Sequence, residues 1–483
     1  LSIWIAAEDM DPELMRMEPS LLNADSPFVA LHHEVVDWVE ARRQSTAFDD
    51  SHLQVMFDQC KELIIGLQKR GAVVGSSLNT AYLLERLSQT LERLETLMAI
   101  FVSNRYLPRR ILLLTGCFAR AAAERHSISR LWKQSSGLMA RSVTQNAGDH
   151  GEHYITRDKK EYWAMFYSAA GGGVLIALMA LFKIYLGSII DDKVWKGVAE
   201  GLNYGLGFMV IFMLHFTVAT KQPAMTAARF AEAVEKTPQG KSVNMKLAQL
   251  LVDVFRSQSI AVLGNVLIAM GLAALIAFGY QYKTGEPLMN ADQIAYQLHS
   301  IDPFAGTLWF AAIAGVWLFC SGIISGYFDN RSNYLNMRMR LTQHPLLKKL
   351  MSEKSRVKFA NYMHENYGSL IGNLCFGMLL GITGVVGYLT HLPLDIRHVA
   401  FSSANVGYIA VSGQFTYSLL LQCIGFVLLI GLVNLIVSFS LTLWVALRSL
   451  NAEIESWWPI WHEVCQIVKK RPLSLFLPVQ LDK

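Results

Sequence analysis

The stretch GDHGEHYITRD, residues 148–158, crowds Asp149, His150, Glu152 and His153 together. His150 and His153 stand three apart, a spacing that places two imidazoles on one side of a helical turn. With a neighbouring carboxylate they could ligate a metal ion. The surrounding glycines argue instead for a loop, in which the same groups serve as a hydrogen-bonded linker and helix cap. A second cluster, Asp395, Arg397 and His398, could bind a headgroup or peptide. Its plainer use is to hold a loop through a charge-assisted hydrogen bond. Six polar side chains sit inside otherwise apolar runs: His215, Asn203, Asn265, Asn373, Asn434 and Gln422. Polar groups in hydrocarbon need partners, so these are expected to face neighbouring helices. The sequence contains no glycine-rich phosphate cradle, and no cofactor is expected.

The elements that position these residues follow from the distribution of charge. Six long gaps contain no Asp, Glu, Lys or Arg: 162–182, 201–220, 257–282, 303–328, 366–394 and 398–447. About 20 apolar residues in a helix cross a bilayer core of roughly 30 Å. The first five gaps supply one span each. The last is long enough for two, but Ser402, Ser403, Asn405, Gly407, Ser412, Gly413 and Gln414 interrupt its first half. That half reads as a short segment in, or dipping into, the interface, and the span begins at Leu419. The composition fits this class, with 52% hydrophobic and 17% charged residues. A net charge of +5 is too small to argue for nucleic acid. The six cysteines form no CxxC and read as small buried hydrophobes. The opening LSIWIAAEDMDPELMRMEP has neither the basic start nor the apolar core of a signal peptide.

The expected fold is all-α: a polytopic transmembrane helical bundle of about six spans with an N-terminal cytoplasmic helical domain. The domain occupies 1–155, the spans 156–447, and an amphipathic tail 448–483. In LNTAYLLERLSQTLERLETLMAIF, Leu84, Leu87, Leu91, Leu94, Met98 and Phe101 repeat at alternating spacings of three and four. That is the seam of an antiparallel bundle or short coiled coil, and such a domain could also receive a protein partner. Loops 221–256 and 329–365 and the tail are amphipathic at helical spacing. Lys221, Phe230, Lys348, Lys349, Trp457, Trp458 and Trp461 would place apolar groups under headgroups and cations on phosphate. The expected partners are therefore the lipid bilayer and its anionic phospholipids. The competing use of these helices is to pack on the cytoplasmic domain.

Four stretches together resemble a bacterial family that carries the label site-specific recombinase. They are GEHYITRDKKEYWAMFYSAAGGG (151–173), NYGLGFMVIFMLHFTVATKQPAMTAA (203–228), SGYFDNRSNYLNMRMRLTQHPLL (325–347) and LPLDIRHVAFSSAN (392–405). The likeness runs from about residue 80 to near the C-terminus, and ATKQPAMTA and PLDIRHVAFSSAN are its most specific pieces. The resemblance implies a polytopic inner-membrane protein bearing a recombinase name. Recombinase chemistry needs a Tyr or Ser nucleophile among Arg residues that hold a phosphate, on a surface that wraps duplex DNA. RSNYLNMRMR, with Arg331, Tyr334, Arg338 and Arg340, comes nearest, and it follows a span where basic residues are expected anyway. No catalytic residue is assigned, an enzymatic role is not expected, and DNA is not an expected partner.

Lys and Arg number six in 221–256, eight in 329–365 and five in 448–483, against three, one and one in the loops after spans one, three and five. The positive-inside rule then puts both termini and both basic loops in the cytoplasm of a bacterial inner membrane. Single cysteines at positions 240 and 350 should therefore react with an impermeant thiol reagent from the same side of the bilayer. Labelling from opposite sides would break the topology.

Overall fold

A computed structural model describes residues 1–8, 10–22, 26–44, 46, 48–101, 107–124, 155–156, 158–219, 222–235, 241–412, 415–449, 454 and 456–478. Among the described residues the secondary structure is helical, with no strand. Contacts divide the chain into two units: Leu1–Ser142 with Asn330–His364, and Val143–Asp329 with Glu365–Lys483.

The first unit begins with α1 (Ser2–Glu8), α2 (Pro12–Met17), α3 (Pro27–Arg43), α4 (Asp50–Val74), α5 (Leu78–Phe101) and α6 (Leu107–Glu124). Local chemistry sets three of the starts. Asp11, Ser26 and Asp49 accept backbone N–H bonds at the first turns of α2, α3 and α4, and prolines follow the first two caps. Leu84, Leu87, Leu91, Leu94 and Met98 of α5 are all buried, against Phe28, Leu31, Trp38, Phe57, Ile64 and Leu67. The expected seam is thus the core of a bundle, and each buried leucine contributes about 1.5–3 kcal/mol. On the outer side of α4 and α5, Lys61 bonds Glu95 at 2.9 Å, which holds its ammonium above the usual lysine range.

The second unit holds α7 (Lys159–Ile189), α8 (Lys193–Met213), α9 (Gln222–Glu235), α10 (Lys241–Thr284), α11 (Ala291–Ile301), most of α12 (Thr307–Tyr334) and most of α15 (Glu353–Thr390). It closes with α16 (Val399–Ala410), α17 (Tyr417–Ser449) and α18 (Trp458–Lys470). The short helices α13 (Met337–Gln343) and α14 (Pro345–Leu350) belong to the first unit. Among the described residues five helices, α7, α10, α12, α15 and α17, are long and apolar enough to cross a membrane. The expected second span, 201–220, is not among them: α8 carries Lys196 and Glu200 and stops at Met213.

The interrupted stretch after Arg397 forms α16, of twelve residues, ten of them buried. At 1.5 Å per residue it is about 18 Å long, too short to span. It lies against α10, α17, α7 and α11, so it is inserted among helices instead of resting on a surface. A separate core joins α9, the start of α10, the end of α17 and α18 through Phe230, Leu247, Val252, Leu443, Ala446, Ile460 and Val464.

Hydrophobicity does not drive helices together in lipid, so close contact must come from small residues. Gly197, Gly201 and Gly205 of α8 face Gly377, Gly381 and Val385 of α15. A Cβ at Gly377 would collide with the backbone of Gly205, and one at Gly381 with that of Gly201. Overpacking of this kind costs about 1–3 kcal/mol or more. Gly381→Leu should therefore lower the thermal unfolding midpoint of the detergent-purified protein by several degrees. Gly271→Leu, at a position with nothing within 4 Å, should leave it near wild type.

Candidate functional site

The second unit contains two places where the chain leaves helical geometry beside buried asparagines. The first follows α8. His215 adopts φ 58°, and the backbone N–H of Phe216 turns back to the carbonyl of Ile211. The next residues run extended beside α7 and α10. Thr217 N–H donates to Ser168 O at 3.2 Å. Ser168 Oγ donates to His215 O at 3.0 Å and lies 2.8 Å from Thr217 Oγ1. Asn265 of α10 does most of the joining. Its Nδ2 donates to Ala169 O at 2.6 Å and Thr217 O at 2.9 Å, and its Oδ1 accepts from Ala219 N–H at 2.8 Å.

Three consecutive glycines of α7 make room for this segment. A Cβ on Gly171 would enter the Phe216 ring. One on Gly172 would lie 2.5 Å from Thr217 O, and one on Gly173 2.9 Å from Asn265 O. Glycine weakens a helix by about 1 kcal/mol relative to alanine, so a run of three needs a packing reason, and this is it.

The second place is the approach to α16. Asn434 of α17 donates from Nδ2 to Ala311 O at 2.7 Å and Arg397 O at 3.0 Å. Its Oδ1 accepts from Val399 N–H at 3.2 Å. Arg397 bridges Asp395 Oδ2 at 2.6 Å and donates from Nε to Ser300 O at 2.8 Å. Its guanidinium stands 5.3 Å from the Phe310 ring centroid. His398 is buried among Phe208, Phe376 and Phe401, with centroid distances of 6.1, 5.7 and 5.7 Å. Close by in the same aromatic group, Tyr204 packs on Phe401 at 4.3 Å. Lys183 of α7 reaches Glu200 of α8 at 3.5 Å and stands 5.8 Å from the Tyr204 ring.

In the first unit, the sequence that best imitates a recombinase centre forms a clasp. Arg16 donates from Nη1 to Tyr334 O at 2.7 Å and from Nη2 to Gly75 O at 2.6 Å. Its guanidinium lies 4.3 Å over the Tyr334 ring. The Tyr334 hydroxyl donates to Glu13 at 2.8 Å, and Glu13 also accepts from Thr80. Asn330 pairs with the backbone of Ser76 in both directions, at 3.0 and 2.7 Å. Gly75 has φ 83°, and a Cβ there would run into Tyr334 and Asn330. The terminal nitrogens of Arg16 that could grip a phosphate are spent on carbonyls, so this tyrosine is used for docking.

The residues singled out in the sequence fall in different places. Asp149, His150, Glu152, His153 and Lys221 lie outside the described residues. Among the described residues no group of three or more His, Cys, Asp or Glu is placed to hold a metal ion. Asn265, Asn373 and Asn434 are buried, and Asn203 donates to Met179 O at 2.9 Å. His215 and Gln422 are exposed instead. Phe230 is fully buried and stacks on Trp457, with centroids 6.1 Å apart and planes 9° from parallel. Trp458 and Trp461 are exposed, as are Lys348 and Lys349. Sequence reasoning missed Glu13, Arg16 and Gly75, which lie in a region where no pattern marked a contact with Tyr334. The joining roles of Asn265 and Asn434 were half visible, as asparagines that apolar runs could not leave unpaired.

A family model described as "Site-specific recombinase" matches residues 1–478. No curated protein and no solved structure matches the chain.

Leaving buried polar groups unpaired costs about 1–3 kcal/mol each. Asn265→Leu strips partners from Thr217 O and Ala219 N–H together. It should destabilise the purified protein clearly more than Asn203→Leu, which removes one bond to a helical carbonyl. Thermal unfolding in detergent compares the two.

Proposed function

The chain belongs to the site-specific recombinase family, and from that premise we propose that it is a non-catalytic integral membrane protein working at the cytoplasmic surface of a bacterial inner membrane. It would bind or shape the bilayer or scaffold a partner there. The observation that carries this reading is the placement of α18. Its aliphatic residues Ile460 and Val464 are buried with the ends of α10 and α17. Trp458 and Trp461 remain exposed, and Lys469, Lys470 and Arg471 close the helix. Both flanking long helices are apolar enough to cross a membrane, and on this reading the ends that α18 packs against would reach the headgroup layer. Indole rings favour that layer, and cations there meet lipid phosphate. The burial of Phe230 restricts the reading: α9 packs with the protein, and the lipid-facing role falls to α18 and the exposed basic connectors.

A second reading, transport of a small or lipid-like substrate, draws support from the break after α8 and the inserted α16. Irregular backbone at membrane depth often accompanies a substrate path. Recombination, the activity in the family's label, gains no support from the Arg16–Tyr334 clasp.

The fluorescence difference between wild type and a Trp458→Phe/Trp461→Phe variant in nanodiscs isolates two indoles. Brominated lipids carrying the quencher near the headgroup should quench that difference strongly. Indifference to any lipid-borne quencher would remove the surface role. Sequence-specific duplex cleavage abolished by Tyr334→Phe would replace it with the chemistry of the label.

A further inference from the structure

Residues 331–358 contain eight Lys or Arg and a single acid, Glu353. Both ends of this segment are fixed to the first unit. At the start, Asn330 and Tyr334 sit in the clasp with Ser76, Glu13 and Arg16. At the end, Ser332 Oγ lies 3.0 Å from His364 Nδ1, and Ala360 is fully buried. Between these anchors α13 and α14 contain no buried residue. Met339, Leu346 and Leu350 are 62, 62 and 79% exposed. They alternate with Arg338, Arg340, Lys348 and Lys349.

We infer that Met337–Lys358 is a docking surface for the phosphate headgroups of anionic phospholipids. The charge balance selects an anionic partner. The interleaved Met339, Leu346 and Leu350 select lipid over duplex DNA, because a lipid interface accepts apolar side chains and a phosphodiester backbone does not. Covalent reach agrees, since Met337 follows by three residues the end of α12, one of the five helices able to span a membrane. The clasp makes the surface rigid at its base, so little ordering cost falls on binding. This inference rests on the bilayer-surface reading above and adds lipid charge as the selected property.

The test uses the full-length protein in nanodiscs, with exposed Cys117 and Cys465 replaced by Ser and a fluorophore on Leu346→Cys. Nitroxide lipids quench at headgroup depth. Quenching should be strong when phosphatidylglycerol is present, weak in phosphatidylcholine alone, and should fade as salt shortens the Debye length. Substituting Arg338, Arg340, Lys348 and Lys349 with Gln should weaken the response to phosphatidylglycerol about fivefold per charge removed. The salt series on the unsubstituted surface keeps the test valid if that variant folds poorly. Equal quenching in neutral and anionic nanodiscs overturns the inference, as does displacement of the signal by duplex DNA. The two indoles of α18, measured in the same nanodiscs, separate the outcomes. Shallow indoles with a charge-indifferent label sink this inference alone, and unquenched indoles sink the surface reading too.

Discussion

A peptide group in hydrocarbon has no water to bond, and the second unit is arranged around that constraint. Where the backbone stays helical the requirement is met locally. Where it does not, a buried asparagine meets it. Asn265 and Asn434 each bond three backbone groups, two as donor and one as acceptor, and each sits at the edge of a non-helical segment. An amide suits this work because one short side chain offers both polarities. Aspartate would bring a charge, and serine could not reach three groups at once.

Close approach is the second condition. The amide of Asn265 bonds Thr217 O only because α7 presents bare backbone at Gly171, Gly172 and Gly173. The α8–α15 seam uses the same device on facing helices, glycine against glycine. Packing and polar satisfaction are therefore one problem here. The first unit, built of capped amphipathic helices around Leu84–Met98, is held mainly by ordinary burial, and it uses the same two devices where Asn330 meets Gly75 and Ser76.

The sequence was most readable where one physical rule acts alone. Uncharged runs of sufficient length became the five long apolar helices, and alternating three-four spacing became the α5 core. The interrupted stretch at 398–410 was legible as too polar to span, and α16 is such a short element. Reading was incomplete where two rules compete. The run 201–220 lies mostly in α8, but its last residues leave the helix to pack beside Gly171–Gly173 and Asn265. Phe230 has the spacing of a lipid-facing residue, but amphipathicity alone does not say whether lipid or protein covers the apolar side, and here Trp457 does. The contact of Arg16 with Tyr334 joins positions 318 residues apart and left no periodic trace.

That separation has a consequence for biosynthesis. Glu13, Arg16, Gly75 and Ser76 emerge from the ribosome early, while Asn330 and Tyr334 emerge only after α7, α8, α10 and most of α12 have been translated. At about 5–20 residues per second the wait is roughly 15–60 s. Through that interval the amino-terminal helices lack their last structural segment, so their maturation is timed by delivery of the intervening chain to the membrane.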